Sequence, residues 1–121
     1  MEVFEKDGKI NFVDENDVFV GFDYQACCCE HFDWFYSKEV PKVLDIEGPD
    51  EFHDNFDPKG WVFDTSFCKE VSGGYEDNWV TFRLVKGKEE VFLVLYNCHN
   101  GYYAHGYTMI LKGTNLYSSY L

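Results

Sequence analysis

Alanine is almost missing from this chain, with only Ala26 and Ala104 among 121 residues. Alanine and the straight-chain residues lead the helix propensities, so the shortage argues against a helical bundle. Arginine is scarcer still, and Arg83 stands alone. Binding to nucleic acid or anionic membrane rests on clustered Lys and Arg. A chain with one arginine and a formal net charge of -12 repels both, so no direct nucleic-acid contact and no membrane contact are expected. No apolar run approaches the ~20 residues of a membrane span. The opening stretch Met1-Glu2-Val3-Phe4-Glu5-Lys6-Asp7 has neither the basic nor the apolar region of a leader. The expectation is a cytoplasmic chain, neither exported nor membrane-spanning. Also missing are a C-x-x-C pair, an H-E-x-x-H pair, a glycine loop for phosphates and a nucleophile-elbow serine.

Aromatic residues are abundant, at 20% of the chain with 12 Phe, 9 Tyr and 3 Trp. Aromatic side chains suit a pleated, half-buried surface, and most of these rings fill a small β core. With 45% apolar residues, a compact fold of this size hides roughly two-thirds of the area its unfolded chain exposes. One domain across residues 1–121 accounts for the length. Asp7-Gly8 marks an opening hairpin within Phe4 to Ile10, and Asp14 to Asp17 marks a second turn. Val18 to Tyr24 reads as a strand. In His31 to Ser37, period two places Phe32, Trp34 and Tyr36 on one face, although Phe32, Phe35 and Tyr36 also allow a helical turn. Pro41 to Gly60 is irregular and holds all three prolines, and a short helix begins near Pro49-Asp50-Glu51-Phe52-His53. Trp61 to Phe63 reads as a brief strand and Ser72 to Gly74 as a loop. Asn78 to Val85, Glu90 to Cys98 and Gly106 to Leu111 are strong strands, with Lys86-Gly87-Lys88 turning the first pair and Asn97 to Gly101 opening the second turn. Both parities of Val91 to Tyr96 are apolar, which predicts the middle of a sheet. Leu116 to Leu121 adds an edge strand. Short connections imply antiparallel neighbours. The predicted fold is mainly β (α+β as the alternative): a single twisted antiparallel sheet, curled or packed on itself, with at most one or two short helices.

The charge is lopsided. Residues 1–57 hold 16 Asp and Glu against 4 Lys, and residues 58–121 hold 6 acids against 6 bases. Such a field attracts a basic protein surface or a cation, and it also serves solubility. Cys27, Cys28, Cys29, Cys68 and Cys98 are odd in number and carry no export signal, so they read as reduced thiols. Cys27, Cys29 and His31 share one strand parity, and Cys98, His99 or His105 can approach from a neighbouring hairpin. That is a weak zinc pattern beside the simpler reading of buried thiols. Thiol catalysis, with His31, His99 or His105 as base, is disfavoured because surrounding carboxylates raise thiol pKa values. Asp14 to Asp17 and Asp50 to Asp57 lack the glycine and terminal glutamate of a calcium loop. In Asn97 to Gly106, the Asn100-Gly101 reversal presents Tyr102, Tyr103 and two histidines together. Such a group is suited to a small polar ligand or a partner protein as well as to plain packing. The candidate ligand-binding residues are Cys28, Glu30, Trp34, Asn100, Tyr102 and Tyr103, with no catalytic set and no cofactor expected.

Cys28-Cys29-Glu30, then Trp79-Val80-Thr81-Phe82, then Asn100-Gly101-Tyr102-Tyr103 give the chain a likeness. It resembles a family of small uncharacterised domains of bacteriophage and prophage genomes. The order spans about three-quarters of the chain. Ala104 stands where a serine is usual, Ala26-Cys27 replaces a polar residue, and Asp45 to Pro58 aligns poorly. The resemblance implies a phage-like setting and no reaction. The function expected is a small acidic non-enzymatic binding protein that captures a host protein or a small signalling molecule. Alternatives are a nucleic-acid mimic that inhibits a DNA-binding enzyme, a zinc- or thiol-dependent enzyme, and an assembly component.

Overall fold

Alternating apolar and polar residues, punctuated by turns, produce nine strands and one short helix among the described residues. The computed structural model describes residues 1–25, 30–42, 44, 51–72, 77–99 and 104–121. The strands are β1 (Glu2–Lys6), β2 (Lys9–Val13), β3 (Val18–Asp23), β4 (Glu30–Ser37), β5 (Val62–Ser72), β6 (Asp77–Lys86), β7 (Glu89–His99), β8 (Gly106–Leu111) and β9 (Thr114–Tyr120), with α1 at Glu51–Asn55. The mainly β expectation holds, with antiparallel pairing throughout and one short helix. The strands divide, however, between two sheets where a single sheet was expected. One runs β1-β2-β3-β8-β9 and the other β4-β7-β6-β5. The division arises because β3 pairs with β8, Val18 opposite Leu111, and not with β4, which follows it in sequence. No helix among the described residues is long and apolar enough to cross a membrane.

The turns follow their local chemistry. Asp7 and Gly8 both have positive φ, at 57° and 75°, as a tight two-residue hairpin requires. Lys112 and Gly113 do the same between β8 and β9. β5 differs from the short strand expected at Trp61 to Phe63, running on to Ser72 past a register shift between Phe63 and Cys68. The bulge resets the side-chain parity and hides the strand from a period-two reading. β7 likewise continues to His99, past the point at which a turn was expected to begin. Its segment Val91 to Tyr96 is buried on both faces and sits between β4 and β6, the middle position foreseen for it.

Both sheets contribute to one core. Phe12, Val20, Phe22 and Met109 from the five-stranded sheet meet Phe82, Leu84, Leu93 and Leu95 from the four-stranded sheet. The outer face of the four-stranded sheet carries a second cluster, Trp79, Val94 and Tyr96, with Phe35 and Leu44 packed on it.

Polar stitches join the sheets around this core. Asp14 is only 5% exposed. Its Oδ1 accepts the N–H groups of Asn16 at 2.9 Å and Val18 at 3.0 Å, and its Oδ2 accepts that of Phe63 at 2.8 Å. The carboxylate therefore closes the β2–β3 turn and ties it to β5, satisfying an edge donor on the other sheet. Tyr107 donates to Glu70 at 2.9 Å, and Tyr24 donates to Asp33 at 2.9 Å. On the free edge of β4, the Tyr36 N–H goes to His53 Nδ1 and the Trp34 N–H to Asp33 Oδ1, both at 2.9 Å. Covered donors of this kind blunt sheet edges against pairing with another chain.

Two predictions follow from these contacts. Asp14→Ala strands two buried N–H groups, those of Val18 and Phe63, so it should lower stability by about 2–4 kcal/mol in urea unfolding. Asp14→Asn, which retains an acceptor oxygen, should cost less. The second concerns alkali. Burial raises the phenol of Tyr36, burial with the Asp33 and Glu70 contacts raises those of Tyr24 and Tyr107, and burial pushes Tyr96 up to about 12. Each proton is held more tightly in the folded chain than in the unfolded one. The stability they contribute is therefore complete below the ordinary tyrosine value of ~10 and falls as pH rises beyond it. A spectrophotometric titration should show these four phenolates appearing only with alkaline unfolding, and Tyr36→Phe should make that loss less steep.

Candidate functional site

Phe52 and Phe56 lie four residues apart, one on α1 and one just beyond its end, a spacing that brings side chains together on a helix face. Their ring centroids are 5.5 Å apart. Phe56 continues inward to Tyr36 at 4.4 Å and sideways to Trp61 at 5.2 Å. A short loop sets the position of Trp61. Asp57 Oδ1 accepts the Lys59 N–H at 3.0 Å, Gly60 takes a φ of 84°, and the Trp61 N–H returns to the Pro58 carbonyl at 3.2 Å. The Lys86 stem packs over Gly60, where a Cβ would sit 3.3 Å from Cε. His53 holds α1 to β4 through the Tyr36 N–H and packs its ring near Trp34 at 5.3 Å. Because Nδ1 accepts that bond, the proton of the neutral imidazole sits on Nε2.

These rings form the wall of an open groove of about 520 Å³. Lys38, which follows β4, borders it, as do Glu89, Glu90 and Val91 at the start of β7. Asn55 and Asp57 complete the rim. Lys38 Nζ stands 5.1 Å from the centroid of the Phe52 ring, a cation over a π face. The rim thus holds three carboxylates against one ammonium. Glu90 is shared, since its Oε2 accepts from Arg83 Nε at 2.7 Å. Arg83 also reaches Asp64 at 2.9 Å, and the carboxyl of Asp64 is lowered by its bonds to Ser66 and then by Arg83. An apolar aromatic wall under a negative rim suits a cation carried on an aliphatic stem.

Of the residues singled out from sequence, Trp34 does not line this groove. Trp34 packs against the core, edge-on to Phe12 at 5.0 Å and to Tyr36 at 5.2 Å. Cys28, Asn100, Tyr102 and Tyr103 fall outside the described residues, as do Cys27 and Cys29. The backbone of Glu30 pairs with His99 in the β4–β7 ladder, so the ends of both sequence clusters are neighbours at one end of the molecule. In the same ladder His31 stands opposite Cys98. Among the described residues no group of three or more His, Cys, Asp or Glu is placed to hold a metal ion. The thiol of Cys68 is half-buried and raised, by burial first and by the Glu70 charge in addition. His105, weighed as a ligand or a base, is buried, with Nδ1 2.7 Å from the Asp23 carbonyl and its ring stacked on Phe32 at 4.0 Å. Sequence reasoning passed over Phe52, Phe56, Trp61 and Lys38. The signal that would have found them is the i, i+4 pair of phenylalanines followed by a tryptophan inside an otherwise irregular stretch.

The groove depends on α1 staying docked to β4. His53→Ala removes the acceptor of the Tyr36 N–H, and exchange of that amide should accelerate about five- to tenfold relative to the native chain. His53→Phe retains a ring and removes the acceptor. Equal acceleration in both variants would assign the effect to the hydrogen bond, and acceleration in neither would remove His53 as the anchor.

Comparison with family models, with curated proteins and with solved structures finds no match for this chain.

Proposed function

We propose that the chain is a small acidic, non-enzymatic binding protein that takes a basic segment of a partner protein in the groove of Phe52, Phe56 and Trp61. The observation that carries this reading is the union of an aromatic wall with the carboxylates of Asp57, Glu89 and Glu90. A ring face attracts an ammonium or guanidinium by ~0.5–1 kcal/mol when exposed, and by more when water is excluded. The net charge of -12 draws a basic partner toward the whole molecule and speeds encounter. Tyr and Trp rings with a polar rim are also the usual anchors of protein interfaces. In the phage-type setting implied by the Cys28-Cys29-Glu30 and Asn100-Gly101-Tyr102-Tyr103 motifs, that partner is a host protein met in the cytoplasm.

An acetylated oligolysine peptide is the probe, followed by titration calorimetry. Binding should weaken as salt shortens the screening length toward ~8 Å. Asp57→Asn with Glu89→Gln should weaken it about five- to tenfold, whereas Glu2→Gln with Glu5→Gln, the same change in net charge away from the groove, should have a much smaller effect. Equal losses from both pairs, or no binding at low salt, would reject the reading.

A further inference from the structure

The groove contains a cation of its own. Lys38 directly follows the last residue of β4, and the backbone there is fixed by its neighbours. Ser37 Oγ donates to the Glu39 carbonyl at 2.7 Å and accepts the Glu39 N–H at 3.3 Å. This local turn, together with the pairing of Ser37 to Phe92, sets where the Lys38 side chain leaves the chain. Its ammonium comes to rest over Phe52 and its side chain borders the groove. A lysine carried on an exposed strand end has many rotamers with full hydration, and holding one of them against a ring costs side-chain entropy. The ring face of Phe52 offsets part of that cost.

We propose that this position is an alkylammonium subsite, filled in the free protein by Lys38 and taken over by a lysine side chain of the partner. The inference rests on the binding reading above and adds to it the chemical group received and the residue that competes for it. A partner lysine would set its ammonium over the Phe52 ring as Lys38 does, in a groove also lined by Phe56, Trp61, Asp57 and Glu89. Displaced, Lys38 returns to water at the strand end without moving the backbone that Ser37 and Glu39 hold. Lys38 thereby lowers affinity for weakly basic surfaces and passes those that bring a well-placed lysine, a form of specificity through competition.

The test compares Lys38→Met, which keeps a flexible stem and loses the charge, with Lys88→Met, which makes the same change in net charge in the β6–β7 turn. Titrated with the acetylated oligolysine peptide, Lys38→Met should bind about two- to fivefold more tightly than the native chain, and Lys88→Met should show a smaller gain. In the native protein, the Lys38 Hε resonances should be displaced by the Phe52 ring current and should return to the position of a solvated lysine as peptide saturates the groove. Equal gains from the two variants, or Lys38 resonances that stay displaced at saturation, would overturn the subsite while leaving the binding reading in place. Failure of the native chain and of Lys38→Met alike to bind the peptide would overturn both.

Discussion

A carboxylate almost out of reach of water has to be met by donors, and the donors that meet Asp14 belong to two different sheets. Val18 offers its N–H from the first residue of β3, and Phe63 offers one from edge strand β5. Removing an ionised group from solvent is costly unless its oxygens are satisfied, so the turn and the strand hold each other in place. Phe63 then contributes its ring to the shared core, 6.3 Å from Phe82. Two residues earlier, Trp61 becomes the rear wall of the groove. Asp14, which does not line the groove, thus ties the strand that follows that wall to the β2–β3 turn.

The rings of the groove are the outward continuation of the core. Tyr36 is a core residue, 4% exposed, and it leads through Phe56 to Phe52 and Trp61. A helix of five residues has little stability of its own, since nucleation fixes several dihedrals for very few hydrogen bonds. What holds α1 is this aromatic ladder together with the bond from the Tyr36 N–H to His53. Along the ladder burial is graded, with Tyr36 and Trp61 buried and Phe52 and Phe56 half-buried. Phe52 and Phe56 pack against the core and also line the groove that Glu89 and Glu90 border. Phe52 thus combines dispersion with the core and attraction for the Lys38 ammonium.

Local chemistry announced much of the fold. Asp7-Gly8 could only be a tight turn, and Val91 to Tyr96 could only be a strand covered on both faces, because neither parity offers water a polar side chain. The period of two in Phe32, Trp34 and Tyr36 likewise marks β4. Other features were hidden for identifiable reasons. The long β5 was obscured by the bulge after Phe63, which carries Asp64, Thr65 and Ser66 through the strand and breaks the alternation. The division into two sheets depends on Val18 meeting Leu111, a pairing between distant parts of the chain that no local window contains. The groove was the least visible element, since its wall comes from a stretch whose prolines and acids read as irregular. Lys38, by contrast, gains meaning only once Phe52 is folded beneath it.

The charge imbalance bears on why a lysine would sit at that point. With 16 acids in residues 1–57, a cation placed almost anywhere on that half lowers self-repulsion, so electrostatics alone does not select a position. The aromatic face does select one, because it rewards a cation only at short range and over the ring. Lys38 lies where the two influences coincide, within a field that spans the molecule and 5.1 Å from one ring centroid. The long-range term would bring any basic surface close, and the short-range term would decide which basic side chain stays. A protein with net charge of this size gains encounter rate readily and discrimination poorly. An internal competitor at the aromatic face would supply the discrimination, since a guest would have to outbind a lysine that is already tethered beside the groove.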